Sequence, residues 1–237
     1  MTKRSIIRFL MAAALPFSCS LAAPGADQKK PARLEGEYHI MVAGQEIGVE
    51  RYVIVSTDDA VSSTSILQFR NPADAKQKIS LETKLGMDSR YKPLSYELKS
   101  EVDGKKGTIQ GSFRPNQVVF AYSGGGVSSR SGLLVGEQYT ILDTNAFHHF
   151  IFLTRLFDYG NREKPQQFEV VIPQEKETGT VKISEIGKED IQLKEKTIST
   201  THLKMEAGLV TIQLWVDDDR IPRRISLPEK GIEVVQN

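Results

Sequence analysis

Adjacent His148 and His149, the run Asp217-Asp218-Asp219 and the triplet Gly124-Gly125-Gly126 are where this chain's residue types could do chemistry. Successive helical residues point about 100° apart, so the two imidazoles cannot readily share a metal ion, whereas an i, i+4 pair can. Positions 152 and 153 are Phe and Leu, which denies either histidine the second ligand that a zinc site needs one turn on. The expected state is a histidine hydrogen-bonded to a backbone carbonyl beneath a sheet, with ligand contact or proton transfer as the functional alternative. His148 is expected near solvent beside Arg155, and His149 partly buried toward Leu153 and Leu156. The aspartate run lacks the spaced oxygen ligands and closing acid of a calcium loop, and Arg220-Ile221-Pro222-Arg223-Arg224 follows at once. It reads as a solvated hairpin turn. The glycines have no Gly-Lys-Ser/Thr continuation and lead into serine-rich sequence, so they are not a phosphate loop. No Gly-x-Ser-x-Gly elbow occurs. A hydrolase would need His148 or His149 within hydrogen-bonding reach of both a serine and an acid. No catalytic residue, metal ligand or cofactor is assigned.

The elements that must position these residues are mostly strands. Ile79, Leu81, Thr83 and Leu85 alternate with Lys78, Ser80, Glu82 and Lys84, and Leu94, Tyr96, Leu98 and Val102 alternate with Ser95, Glu97, Lys99 and Glu101. Val210, Ile212, Leu214 and Val216 share one face, opposite Thr211, Gln213 and Trp215. A period of two puts one face on a core and one in water, as in antiparallel sheets. Val49-Arg51-Val53-Val55, opposed by Tyr52 and Ile54, is apolar on both faces and reads as more central. Turns are expected at Gly44-Gln45, Asp103-Gly104, Gly187-Lys188, Asp217-Asp219 and Glu229-Gly231, with Pro72 and Pro93 at run boundaries. About a dozen strands fall into blocks over 34–122 and 166–235, separated by a loop over 123–135. Between them Ala146 to Phe157 is apolar round most of a helical wheel, which predicts a buried helix over 145–158. Asp143 or Thr144 can cap it and Gly160 can close it. The fold class is therefore mainly β: a curved antiparallel sheet or open barrel wrapped around one central helix.

The chain opens with basic Lys3, Arg4 and Arg8, an apolar run from Phe9 to Phe17, and small residues Ser20 and Ala22. That is the pattern of a signal peptide over 1–22, cleaved after Ala22 or Ala23. Cys19, the one cysteine, does not sit in a lipobox, because Leu15 lies at −4 and not −3; lipidation is not expected. Cleavage leaves a mature chain without a thiol, which excludes disulfides, zinc–thiolate sites and cysteine nucleophiles. Residues 23–33 read as a flexible tether and 34–235 as one β-rich domain. Losing Lys3, Arg4 and Arg8 from 31 basic residues leaves 28 against 30 acids, so no basic excess points to nucleic acid. No later stretch reaches the roughly 20 apolar residues of a membrane span. The expected location is periplasmic or secreted.

Gly36-Glu37-Tyr38-His39-Ile40 with Gly44 and Gly48 resembles the first hairpin of an uncharacterised group of exported bacterial β-rich proteins, domains of unknown function. Leu142-Asp143-Thr144-Asn145 with His148, His149 and Tyr159 resembles that group's central helix, and Trp215-Val216-Asp217 with Pro222, Arg223 and Ile225 its closing hairpin. The likeness spans most of 34–235 and implies a secreted β-rich fold without assigned catalytic residues. A more distant, fold-level similarity is to periplasmic carriers of the LolA and LolB type, open barrels covering apolar helices.

The leading functional expectation is an exported cell-envelope binding protein that holds an apolar or amphipathic ligand, such as a lipid, between sheet and helix. Phe147, His149, Phe150, Leu153, Phe157 and Trp215 would line that space. Trp215 lies on the polar side of its strand, where the helix would cover it or the indole would line a cleft. The alternative is an envelope scaffold or assembly protein that binds another protein through sheet edges and loops; a hydrolase using His148 or His149 is third. A helix packed without void favours the scaffold.

Overall fold

The computed structural model describes residues 31–71 and 74–236. The expected signal peptide, Cys19, most of the tether and Pro72 lie outside the described residues.

A first meander comprises β1 (Ala32–Val42), β2 (Gln45–Ser56), β3 (Ala60–Asn71), β4 (Asp74–Asp88), β5 (Pro93–Val102), β6 (Lys105–Arg114), β7 (Gln117–Gly124) and β8 (Val127–Leu134). The two-residue β9 (Thr140–Ile141), a 3-10 turn (Phe147–His149) and the one α-helix among the described residues, α1 (Phe150–Leu156), follow. The second meander comprises β10 (Gln166–Ile172), β11 (Glu177–Leu193), β12 (Lys196–Ala207), β13 (Val210–Val216), β14 (Pro222–Leu227) and β15 (Ile232–Gln236). All belong to one sheet in the order β8 through β1, then β15 through β9. β1 and β15 join the two meanders, and among the described residues only the β9–β10 pair is parallel.

Chain connectivity forces this sheet to curl. Laid flat, its 15 strands would span about 67 Å at the usual spacing. Yet β8 and β9, at opposite ends of the order, are separated only by residues 135–139, a reach of at most about 20 Å. β8 accordingly comes within 8 Å of β11 between Cα atoms. No backbone ladder joins the two ends; side chains close the seam instead. The Tyr122 hydroxyl donates to the Pro173 carbonyl at 2.8 Å, and the Gly136 N–H donates to Glu169 at 3.0 Å. Lys176 lies over the Tyr122 ring at 4.6 Å.

Alternation sets the inner face. Leu81, Leu85, Ile212, Leu214 and Val216 point into the core as their period of two predicts. Leu94 does not; it is exposed, and Pro93 is buried beside it. The glycine triplet region is not loop. Gly125 and Gly126 both take positive φ, 57° and 80°, which gives the two-residue turn that suits a tight hairpin. The serine-rich segment after it pairs with β7 as β8. A run with little apolar content was expected to stay irregular, but an edge strand needs only one partner and one covered face. Gly187 is likewise not a turn: β11 runs through it with a bulge between Glu185 and Gly187.

The helix is shorter than 145–158. Its first turn is 3-10, Phe157 leaves it in an extended conformation, and no side chain caps it. Asp143 and Gly160 take other partners, given below. A seven-residue helix has little intrinsic stability; burial of Phe150, Ile151, Phe152, Leu153 and Phe157 holds it, each worth about 1.5–3 kcal/mol. No helix among the described residues is long and apolar enough to cross a membrane.

Candidate functional site

His148 is fully buried, contrary to its expected place near solvent beside Arg155. Its Nδ1 lies 2.6 Å from Glu50 Oε1, and its backbone N–H donates to Glu50 Oε2 at 3.1 Å. Its Nε2 lies 3.3 Å from Ser63 Oγ. Glu50 comes from β2 and Ser63 from β3, so the helix entry is tied to two strands. Both positions are inward-facing by register: Glu50 shares its face with Tyr52 and Ile54, and Ser63 with Val61 and Leu67. That inward alternation was the signal in the sequence, since an acid or serine in a core-facing register must find a partner. Only folding reveals that the partner lies 98 residues away.

Acid, imidazole and serine are thus linked in the order that a serine nucleophile requires. Attack also needs room for a carbonyl and donors facing its oxygen. Glu50, Ser63 and His148 are all buried, with the Tyr52 ring 6.0 Å and the Phe152 ring 6.1 Å from the imidazole. Five surface depressions on the described residues are all lined by residues other than Glu50, Ser63 and His148. What the geometry accounts for directly is a polar pin between helix and sheet, in which each buried polar group is satisfied.

His149 is also fully buried and stacks edge-on to His148 at 4.4 Å. Its bond is to an N–H, not a carbonyl: Nδ1 accepts from the Asp143 backbone at 3.2 Å. Burial, then the neighbouring His148, pushes its pKa well below the usual value, so the ring is neutral with its proton on Nε2. Asp143 does not cap the helix. Its carboxyl accepts from the Tyr96 hydroxyl and from the backbone N–H groups of Thr144 and Gln174, both at 2.9 Å. This joins β5 to the turn after β10. Gly160 hydrogen-bonds the Asp158 side chain in place of closing the helix.

Burial raises the Asp143 carboxyl from 3.8 to about 6, against the lowering effect of those donors. Its protonated form is therefore favoured in the folded state. The resulting stabilisation is complete below pH 4 and is lost as pH rises through about 6. A rise of that size corresponds to about 3 kcal/mol. Asp143→Asn is expected to remove this slope: urea unfolding from pH 4 to 7 should show the wild type losing stability relative to the variant. Parallel curves would refute the assignment.

Of the expected lining residues, Phe147, His149, Phe150, Leu153 and Phe157 gather at the helix, all buried except half-buried Phe147. Trp215 is not with them. It stands on the outer face of β13, where the helix does not cover it, and is still only 8% exposed. The His202 ring stacks on it at 4.6 Å and the Arg224 guanidinium lies 4.6 Å from its ring. These are its cross-strand neighbours on β12 and β14, so a ladder of flat groups shields the indole. Asp217 makes the expected turn, accepting from the Ile221 N–H at 2.8 Å and pairing with Arg223 at 2.6 Å.

The other distinctive place is β8. It pairs with β7 alone. In a two-residue hairpin closed by Gly124 and Val127, alternate residues exchange both bonds with the partner. Val127, Ser129, Ser131 and Leu133 therefore bond to β7, while Ser128, Arg130, Gly132 and Leu134 aim N–H and C=O away from it. Val127 is 71% and Leu134 80% exposed. Two depressions flank the strand. One, about 390 Å³, lies on the inner face against Leu98, Ile109, Tyr122, Val127 and Gln174. The other, about 420 Å³, lies on the outer face against Gln110, Ala121, Ser128 and Arg130.

No family model and no curated protein matches this chain. Solved structures do. A β-barrel-like protein of the domain of unknown function DUF1849 from Brucella abortus superimposes with a TM-score of 0.58 at 10% identity, over 87% of this chain and 95% of that one. A DUF1089 family protein from Pseudomonas aeruginosa gives 0.49 at 12% identity, over 76% and 90%. A protein of YmcC-like fold from Bacteroides fragilis gives 0.31 at 8%, over 85% and 92%. The first of these establishes a likeness of fold, that of a β-barrel-like domain of unknown function.

Proposed function

We propose that this chain is an exported cell-envelope scaffold or assembly protein that binds another protein by strand addition to β8. The observation that carries the reading is the unpaired edge itself. Four residues present backbone donors and acceptors outward, with no charged side chain but Arg130 to guard them. Edges exposed in this way are usually shortened, bulged or charged, because they invite pairing. The burial of Phe150, Ile151, Phe152 and Leu153 of α1 is further support, since it leaves the exposed flank as the accessible binding element.

The test uses position-specific backbone removal. Ser128→Pro and Gly132→Pro delete outward N–H groups and leave the bonds of Ser129, Ser131 and Leu133 to β7 in place. A photo-cross-linking residue at Leu134, in protein expressed in its own envelope, should give one discrete adduct that both proline variants lose while retaining wild-type melting. An adduct unchanged by the prolines would sink strand addition.

The apolar-ligand reading rests on a different observation, the cluster of Phe147, His149, Phe150, Leu153 and Phe157 beneath a curved sheet. It requires the helix to shift and make room. Native mass spectrometry of gently purified protein is its measurement; a bare polypeptide mass counts against it.

A further inference from the structure

Resting on strand addition at β8, we infer that the added segment is an extended peptide with apolar residues at alternate positions facing inward and acidic residues at those facing outward. Charge supports the acidic half. From Lys105 to Leu134 the chain holds Lys105, Lys106, Arg114 and Arg130 and not one acid. Among the described residues none of these four makes an ion pair. Register places Lys106, Arg114 and Arg130 on the outer face, because Gly107, Ile109 and Phe113 of β6 and Phe120 of β7 occupy the inner one. Lys106 stands opposite Glu101 of β5, so the acid-free outer surface is that of Arg114 and Arg130; the remaining sheet carries ion pairs such as Glu37–Arg51 and Arg224–Glu233.

The apolar half follows from the depressions. An added strand continues the pleat of β8, so its side chains fall alternately on the two faces. Those on the inner face meet Leu98, Ile109, Tyr122 and Val127; those on the outer face meet Arg130 and the small polar side chains beside it. Two strand spacings need about 9.6 Å, and β8 lies within 8 Å of β11 at its nearest. The seam must therefore widen by at least about 2 Å there. The Tyr122–Pro173, Gly136–Glu169 and Tyr96–Asp143–Gln174 hydrogen bonds and the Lys176–Tyr122 contact resist this, each weaker than a ladder of backbone pairs.

The experiment is fluorescence anisotropy with the mature chain and three labelled peptides of equal length: alternating valine and glutamate, alternating valine and lysine, and a glutamate peptide interrupted by proline. Vesicles of phosphatidylglycerol form a fourth arm. The expected result is binding of the valine–glutamate peptide at least about ten-fold tighter than the lysine peptide, with no binding of the proline-interrupted one. Arg130→Glu and raised salt should each shrink that ratio toward one. Equal binding of the first two peptides, abolished by Ser128→Pro, would overturn the acidic assignment and leave strand addition standing. Absence of binding by every peptide would overturn both. Binding to vesicles alone would overturn both in favour of an anionic membrane surface.

Discussion

Glu50→Ala is expected to destabilise the fold by about 3–5 kcal/mol, read as a fall in the urea midpoint without a change in slope. The substitution removes the acceptor of two donors at once, the backbone N–H and Nδ1 of His148, inside a region that water does not reach. Each stranded donor costs about 1–3 kcal/mol. Glu50→Gln keeps an acceptor and the shape, so it should cost less than half as much. Ser63→Ala removes one longer hydrogen bond, 3.3 Å, and should cost about 1 kcal/mol. That ranking is what a pin predicts. A catalytic relay predicts something else: a fluorophosphonate would label Ser63 in the native protein, and His148→Ala would abolish the labelling. The pin reading expects no labelling, and stoichiometric modification of Ser63 would replace it with the hydrolase.

Phe152→Ala is the second large effect, about 3–5 kcal/mol. Its ring is fully buried and meets Tyr91 at 5.9 Å, His148 at 6.1 Å and His149 at 5.9 Å. Truncation leaves a hole bounded by groups from the loop after β4 and the helix entry, none of which can easily collapse into it. The same variant bears on function. Wild-type protein, with its helix already enclosed, is expected to leave a hydrophobic fluorophore dark, and Phe152→Ala to make it fluoresce by opening apolar volume. If the wild type lights up equally, room already exists beside the helix and the apolar-ligand reading takes precedence over the scaffold.

The contrast between these two positions and Trp215 shows how far local pattern carries. Phe152 sits in a run apolar on nearly every side, which can only be a buried helix, and the structure agrees. Trp215 breaks the alternation of a clear strand, and pattern alone leaves two explanations, cover by the helix or a cleft. The third, shielding by His202 and Arg224, depends on which strands stand beside β13 and in what register. Neither residue is near Trp215 in sequence at a spacing that a strand or helix would align.

The chain alone determined that this is a strand-rich fold around one helix, because alternation and burial act between neighbours along the sequence. It determined most turns and the inward faces of β4 and β13 for the same reason. Tertiary structure decided what His148 touches, what shields Trp215, and that a serine-rich segment becomes an edge strand. Each of those depends on contacts across dozens of residues, set by the curl of the whole sheet. A short β8–β9 connection imposes that curl, and nothing local to Glu50, Ser63 or Ser128 encodes it.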